Sequence, residues 1–258
     1  MTTTTKPPED GWWETFYDEH LAHLLLEQTS EAEVQGTIRF LTETLSLNAH
    51  ARIYDQCCGN GRLSLPLAAL GHEVVGVDQA AIYIQEAQRA EAPRATFFAG
   101  DASQVVIDPP CDAVINWWTS FGYATRDEDN LRMLRAAYDS LKPGGGFALD
   151  FLNAPGIIRH FQRDVVTRRQ LPEGQVVLLR ETRLDLQSGR ILKHWTYFLP
   201  DGRRVEHDTS VSLYMPHQLV ALARAAGFDH VELWGGIDGS DLSADSSRCI
   251  LTARRPHT

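Results

Sequence analysis

The spacing of hydrophobic residues changes from helical to strand-like near Ala51. Before that point, apolar side chains recur every three or four residues, which predicts two or three amphipathic helices between Gly11 and Leu47. The residues that set this period are Phe16, Leu21, Leu24, Leu25, Val34, Ile38 and Leu41. After Ala51, short apolar runs alternate with helical stretches. Such alternation indicates a parallel sheet covered by helices on both faces.

The alternating segment predicts five strands and three helices. The strands are expected at Arg52–Asp55, Glu73–Val77, Ala95–Phe98, Asp112–Trp117 and Phe147–Leu152. The helices are expected at Arg62–Leu70, Ala80–Ala90 and Glu128–Leu141. Lys142-Pro143-Gly144-Gly145-Gly146 should stop the last helix, and Asp108-Pro109-Pro110 is interpreted as a turn.

The alternation of strands and helices ends after Pro155. Three strand-like runs, Val176–Leu186, Arg190–Leu199 and Arg203–Leu213, are separated by short Gly-containing turns, which is typical of an antiparallel meander. A helix at His217–Ala226 and strands at Phe228–Trp234 and Arg248–Ala253 should follow.

We therefore predict an α/β fold with a Rossmann-like, mainly parallel seven-stranded sheet, an N-terminal helical lid and an inserted antiparallel β cap. Leader and lid would occupy residues 1–50. The core would comprise residues 51–155 and 214–258, and the cap residues 156–213.

Charge, apolar content and cysteine usage limit the classes of molecule that the protein is expected to bind. The formal net charge of -10 makes an acidic surface, which repels phosphate backbones, so nucleic acid is not an expected partner. No apolar stretch approaches the ~20 residues that span a bilayer, and Met1–Asp10 does not read as a signal peptide. The four cysteines, without a C-x-x-C pair, are interpreted as reduced thiols. We expect a cytoplasmic monomer or homodimer that makes no contact with membranes and holds no metal.

The first strand ends in a glycine turn, Asp55-Gln56-Cys57-Cys58-Gly59-Asn60-Gly61. The glycines let the backbone approach a ligand at the carboxyl edge of the sheet. Asp78 ends the next strand about 20 residues later, where a carboxylate can bind ribose hydroxyls, and Gln79 follows it. Nicotinamide enzymes share this arrangement. Ser64, in place of the third glycine of G-x-G-x-x-G, makes a dinucleotide less favoured.

Three further motifs occur in order along the chain. Gly100-Asp101-Ala102 follows the third strand, Asn116-Trp117-Trp118-Thr119-Ser120 closes the fourth, and Leu141-Lys142-Pro143-Gly144-Gly145 precedes the fifth. Together with the glycine turn and Asp78, this series resembles the class I S-adenosylmethionine-dependent methyltransferases. The resemblance is strong from about Ala51 to Asn153 and looser as far as Ala253. One departure is Cys57, where the family usually has glycine.

The resemblance implies roles for the cofactor-side residues. Asp55, Cys57, Gly59 and Gly61 would surround the methionine part of S-adenosylmethionine. Asp78 and Gln79 would lie at the ribose, and Asp101 with Ala102 at the adenine. Asn116 would lie beside the transferred methyl group. Tyr17, in the aromatic cluster near the N-terminus, would fold over the cofactor; the alternative is an aromatic helix face that packs on the core.

The cap resembles that of small-molecule methyltransferases, including sugar N-methyltransferases of antibiotic pathways. It would enclose a small-molecule acceptor and exclude water. His194 and His207 are the candidate general bases, because histidine titrates near neutral pH. The candidate acceptor-binding residues are Trp118, Phe121, Tyr123, Arg180, Glu181, Trp195, Tyr197 and Tyr214.

The predicted activity is methyl transfer to that acceptor by in-line displacement at the sulfonium methyl. Two alternatives remain open from the sequence. One is an oxidoreductase that uses a nicotinamide cofactor on a related sheet, and the other is a noncatalytic module that binds S-adenosylmethionine.

Overall fold

The computed structural model describes residues 8, 10–17, 30–171 and 174–257. Ahead of the first strand, the described residues form two helices, α1 at Trp13–Phe16 and α2 at Glu31–Thr44. Ser30 caps α2, because its hydroxyl accepts a hydrogen bond from the Glu33 amide at 3.2 Å. The predicted helical spacing at Leu21, Leu24 and Leu25 lies outside the described residues.

The predicted seven-stranded sheet is confirmed. Its strands are β1 (Arg52–Gln56), β2 (Glu73–Asp78), β3 (Ala95–Ala99), β4 (Cys111–Asn116), β5 (Leu141–Phe151), β10 (Asp229–Trp234) and β11 (Cys249–Arg254). They lie in the order β10-β11-β5-β4-β1-β2-β3. The first five strands run parallel, and β11 is antiparallel to both β5 and β10.

In the described part of the chain, five more helices accompany the sheet; the first three link its parallel strands, the fourth leads into the next part of the chain, and the fifth precedes β10. They are α3 (Ser64–Ala69), α4 (Ala81–Arg89), α5 (Asp127–Asp139), α6 (Ala154–Arg159) and α7 (Pro216–Ala226). One core cluster includes Tyr54 and Phe147, and a second includes Leu41 and Ile53. Because β1 lies between β2 and β4, its neighbouring connections leave in opposite directions. This opens a crevice at the carboxyl edge of the sheet, where ligands bind in such folds.

A separate antiparallel sheet follows α6. Its strands are β6 (Asp164–Leu171), β7 (Gly174–Asp185), β8 (Arg190–Phe198) and β9 (Arg204–Ser212), paired in that order. Gly189 and Gly202 take positive φ angles of 66° and 87° in the two turns that the sequence predicted. This is the inserted cap that the sequence indicated.

Two elements of this region were missed by the sequence reading. Strand β6 is mostly exposed and carries no apolar alternation, because it lies at the edge of the cap sheet. Helix α6 begins at Ala154 with Pro155 in its first turn, a favourable position for proline, whereas the sequence analysis predicts only the end of the strand-helix alternation there. Strand β5 also begins at Leu141, ahead of the predicted Phe147, so the Lys-Pro-Gly-Gly segment is the first part of the strand.

Among the described residues, no helix combines the length and the apolar character that a membrane crossing requires.

Candidate functional site

The glycine turn after β1 has backbone angles that explain its composition. Cys57, Gly59 and Gly61 all have positive φ angles, of 63°, 56° and 84°. A side chain at Gly59 would meet open space, whereas one at Gly61 would press on Phe97 at 3.1 Å. Gly59 therefore leaves room for a ligand, and Gly61 allows the turn to pack on β3.

Asp78 closes this turn from the end of β2. One carboxylate oxygen accepts a hydrogen bond from the Gly59 amide at 2.9 Å, and the other accepts from the Ala80 amide at 2.8 Å. Burial raises the pKa of Asp78 above its ordinary value, although these amide hydrogen bonds oppose the shift. Each oxygen keeps a lone pair that a ligand hydroxyl could use.

A cavity of about 360 Å³ opens at this edge of the sheet. That volume falls within the range of small-molecule sites. Nine of the residues predicted from the sequence line it, namely Tyr17, Cys57, Gly59, Asp78, Gln79, Asp101, Ala102, Trp118 and Tyr123. The structure thus brings together residues from both the proposed cofactor side and the proposed acceptor side.

Other lining residues were not selected from the sequence. They include Trp13, Asn60, Tyr83, Ser103, Asn130, Arg132 and Met133. Asn60 lies inside the glycine turn and Ser103 directly follows Asp101-Ala102, so both could have been found from their neighbours. The α5 residues carry no comparable signal, because nothing in the sequence shows which face of that helix meets the cavity.

Asp101 lies at the end of the cavity beside β3. Its carboxylate accepts hydrogen bonds from the Ser103 amide at 2.9 Å and from the Gln104 side chain at 2.6 Å. Partial burial raises the pKa of Asp101, but these hydrogen bonds outweigh it and the net shift is downward. Asp101 is therefore ionised at neutral pH and can accept a hydrogen bond from an amino group.

Tyr17 and Tyr123 meet over the cavity. Their hydroxyls are hydrogen-bonded to each other, and their rings lie nearly parallel with centroids 6.4 Å apart. Burial raises the pKa of both hydroxyls, so both are protonated at neutral pH. The segment is anchored by Asp10, which accepts from the Thr125 amide at 3.0 Å, and by Gln79, which donates to the Trp13 carbonyl at 3.2 Å.

The same segment also packs on the cap. Phe16 contacts Trp195 and His207, with ring centroids 5.6 and 5.5 Å away. The two sequence interpretations of this aromatic cluster are therefore compatible. Tyr17 faces the cavity while its neighbour Phe16 is buried against the cap sheet.

Asp55 and Asn116 lie beneath the cavity and do not line it. Asp55 accepts a hydrogen bond from the Ser64 hydroxyl at 2.6 Å, and the Asn116 amide donates to the Gln56 side-chain oxygen at 3.1 Å. Gln56 in turn donates to the Ala102 carbonyl at 3.0 Å. This buried network supports the residues of the cavity wall, and Gln56 was not selected from the sequence.

Asp55 gives the protein a testable pH dependence. Burial raises its pKa to about 7, with a smaller contribution from Asp78, while the Ser64 hydrogen bond opposes the shift. The folded state therefore holds a proton that the unfolded state has released, and stability falls as pH rises from about 4 to 7. We expect Asp55→Asn to remove this loss. The free energy of unfolding of Asp55→Asn minus that of wild type should increase by about 2 kcal/mol from pH 5 to pH 8.

Chemical denaturation at the two pH values measures this difference. Asp112→Asn is the matched control, because partial burial of Asp112 is outweighed by hydrogen bonds from Lys142 and Arg52 that lower its pKa. That carboxylate stays ionised throughout the range, so the control should show no such trend. Parallel pH profiles for wild type and Asp55→Asn would refute the assignment.

The backbone after β4 is strained beside the cavity. Trp118 and Thr119 have positive φ angles of 55° and 61°, which cost energy in residues with side chains. Asp150 holds this bend, because its side chain accepts from the Trp118 amide and its carbonyl accepts from the Thr119 amide, both at 3.2 Å. The indole N–H groups of Trp117 and Trp118 are buried without a hydrogen-bond partner among the described residues.

Arg190 ties the cap to the loop that carries Tyr123. Its guanidinium is buried and donates to the carbonyls of Tyr123 and Ala124 at 2.8 and 2.9 Å. It also donates to the hydroxyls of Ser210 and Ser212 and to the Ser210 carbonyl. This arginine therefore holds the cavity loop against the cap sheet.

The remaining predicted site residues lie outside the cavity, and so does Gly61, which packs on Phe97. Phe121 is buried against Phe151 and Tyr214, and the Tyr214 hydroxyl donates to Asp127 at 2.6 Å. The others are on the cap sheet, namely Arg180, Glu181, His194, Trp195, Tyr197 and His207.

The two candidate bases are on opposite faces of the cap. His194 bonds to Asp208 at 2.8 Å and to Glu206 at 3.4 Å. Partial burial lowers the pKa of His194, but these carboxylates outweigh it and raise the pKa. His207 lies edge-on to Phe16 and Tyr197. Neither histidine lines the cavity, so a role as general base stays a prediction that this geometry does not favour.

Comparison with known proteins agrees with this geometry. Residues 53–145 match the family model described as a methyltransferase domain. The Bacillus subtilis protein YqeM, which is named as a methyltransferase, is 30% identical over 108 residues. That alignment covers 41% of this chain and spans less than half of the relative, 44%.

Solved structures match over nearly the whole chain. The methyltransferase CcbJ from Streptomyces caelestis has a TM-score of 0.78 at 21% identity, covering 94% of this chain and 99% of that one. An S-adenosylmethionine-dependent methyltransferase from Clostridium acetobutylicum has a TM-score of 0.76 at 15% identity, and the match covers 92% of this chain and 96% of that one. The sugar N-methyltransferase KedS8 from Streptoalloteichus gives 0.73 at 19% identity, covering 92% of each chain. Residues 53–145 therefore resemble a methyltransferase domain in sequence, and the chain as a whole shares the fold of these methyltransferase structures.

Proposed function

We propose that this protein transfers the methyl group of S-adenosylmethionine to a small-molecule acceptor. The observation that carries the proposal is the cavity at the carboxyl edge of the sheet, where the open face of Gly59, the carboxylate of Asp78 and the carboxylate of Asp101 meet. When bound, S-adenosylmethionine supplies an electrophilic methyl group on a sulfonium. The methyltransferase domain match at residues 53–145 supports the same assignment.

The residues present fit this cofactor. Asp78 can accept hydrogen bonds from ribose hydroxyls, and ionised Asp101 can accept one from the adenine amino group. The buried indole N–H groups of Trp117 and Trp118 are donors that a ligand oxygen could satisfy. Cys57 also lines the cavity, so its side chain occupies space that glycine would leave open.

The finer proposal is that the acceptor atom is an amine nitrogen. The hydroxyls of Tyr17 and Tyr123 are protonated at neutral pH, so they serve to orient an acceptor and exclude water. A neutral amine already has the lone pair that attacks the methyl group and needs no base to create it. The structural similarity to KedS8, a sugar N-methyltransferase, supports this choice.

We further propose that the cap, residues 156–213, forms the acceptor side, and that the protein works in the cytoplasm. The cap packs on Phe16, next to the cavity residue Tyr17. All four cysteines are free thiols, which fits a reducing compartment.

The test is incubation with methyl-labelled S-adenosylmethionine and a metabolite extract, followed by mass spectrometry. We expect a labelled product with the methyl group on nitrogen, formed by wild type and not by Asp78→Ala. S-adenosylhomocysteine should also raise the thermal unfolding midpoint, whereas NADH should not. Stabilisation by NADH alone would favour the oxidoreductase. Cofactor binding with no labelled product from any acceptor would favour the noncatalytic module.

A further inference from the structure

The four strands of the cap sheet carry their carboxylates on one face only. We define the inner face as the one that carries Ile191, Trp195 and Val211, because Trp195 packs on Phe16 and the other two join the main core cluster. Paired residues of neighbouring strands share a face, and side chains alternate along each strand. The strand register therefore assigns each residue of the four cap strands to one face.

The outer face carries the carboxylates, together with arginines such as Arg168 and Arg190. Glu181 is paired with His194, which is paired with Asp208, and Glu206 lies on the same face two residues away. Asp164 is paired with Glu181 and extends this acidic group to the edge strand. The outer face thus holds the carboxylates of the central part of the cap.

The inner face is cationic. Arg180 is paired with Trp195, which is paired with His207, and Lys193 is two residues from Trp195 on the same strand. Within the four strands as described, no carboxylate shares this face. The chain as a whole has a formal net charge of -10, so a strand face that carries cations and no carboxylate stands apart from the rest of its composition.

Arg180 and Lys193 both lie against Trp195. The Arg180 guanidinium carbon is 5.5 Å from the centre of the Trp195 ring, and the Lys193 ammonium nitrogen is 5.8 Å from it. The Nε–H of Arg180 is buried with no hydrogen-bond partner among the described residues. Burial lowers the pKa of Arg180, and burial together with Arg180 lowers the pKa of Lys193 to about 8. Neither cation has a carboxylate partner among the described residues, and two cations held together in this way are costly, so a function is the simplest reason to retain them.

We infer that Arg180 and Lys193 bind an anionic group, a carboxylate or a phosphate, on the acceptor molecule. A guanidinium donates two parallel hydrogen bonds to such a group, and an ammonium adds a point charge. Trp195 supplies a flat apolar wall beside them. Phe16 separates this subsite from Tyr17 at the cavity, so the anionic group is remote from the methylated atom. The inference rests on the proposed methyl transfer and specifies the class of acceptor.

Titration by NMR tests the subsite directly. The chain contains three lysines, Lys6, Lys142 and Lys193, so the ammonium signals are few and Lys193→Met assigns the one required. The probes are acetate and inorganic phosphate, added separately to the full chain. We expect at least one of them to raise the pKa of Lys193, and the more effective probe identifies the anion. Arg180→Gln should weaken that response at least about tenfold.

Arg168→Gln is the matched control, because Arg168 is an exposed arginine on the outer face of the neighbouring strand. It should leave the titration unchanged. Removing an uncompensated buried charge should also raise the thermal unfolding midpoint of Lys193→Met. The inference is overturned if neither probe changes the Lys193 signal in wild type, or if Arg168→Gln weakens the response as much as Arg180→Gln.

The titration needs no cofactor, so the two proposals fail independently. If the protein binds S-adenosylhomocysteine but neither anion changes the pKa of Lys193, only the subsite is refuted. If an anion raises the pKa of Lys193 but the protein does not bind S-adenosylhomocysteine, only the proposed methyl transfer is refuted.

Discussion

Asp78→Ala is expected to lower the affinity for S-adenosylhomocysteine about a hundredfold while the protein stays folded. A carboxylate that accepts hydrogen bonds from two ribose hydroxyls contributes about 3 kcal/mol, which corresponds to that factor. The same side chain also holds the amide of Gly59 at 2.9 Å, so its loss loosens the glycine turn as well as the ribose site. Both effects act in the same direction. Isothermal titration calorimetry gives the affinity, and circular dichroism reports the fold.

Glu73→Ala provides the control for this experiment. Glu73 begins the strand that Asp78 ends, and its side chain is exposed and paired with Arg52. An exposed ion pair contributes little, so this variant should bind as wild type does. If Asp78→Ala bound S-adenosylhomocysteine with unchanged affinity, the ribose assignment would be wrong.

Of the substitutions proposed here, Arg190→Met is expected to lower the free energy of unfolding the most. The buried guanidinium makes hydrogen bonds of 2.6 to 3.0 Å to three carbonyls and two hydroxyls, and methionine can replace none of them. Leaving these acceptors buried without donors should reduce the free energy of unfolding by about 3 kcal/mol or more. Urea denaturation measures the change.

Arg168→Met, an exposed change on the cap, should stay within about 0.5 kcal/mol of wild type. In Arg190→Met the loop of Tyr123 loses its anchor, so cofactor affinity should fall in whatever fraction remains folded. A loss of stability below about 1 kcal/mol would show that Arg190 does not hold the loop.

The sequence predicted the parallel core well for a physical reason. Strands such as β2 and β4 are buried on both faces, so they contain short apolar runs, Val74–Val77 and Ala113–Ile115. The cavity-lining residues Gly59, Asp78 and Asp101 lie at or just after the ends of β1, β2 and β3. Parallel strands end at one edge, which is why separate motifs along the chain meet in one cavity.

The cap shows a feature that the sequence could not predict, namely which face of its sheet lies inside. Alternation divides its residues between two faces but does not say which face is inside, and neighbours such as Lys193 and His194 are therefore indistinguishable by pattern. The structure places Lys193 on the inner face and His194 on the outer one. Similarly, Asp55 and Asn116 end strands as the cavity residues do, yet their side chains turn into the buried network beneath it.

A crystal structure of the protein grown with S-adenosylhomocysteine would test the central claim most directly. The account predicts electron density in the cavity at the carboxyl edge of the sheet, with the ribose hydroxyls on the Asp78 carboxylate and the adenine beside Asp101 and Ala102. Density for the ligand at any other place, or an empty cavity at a saturating concentration, would contradict the account.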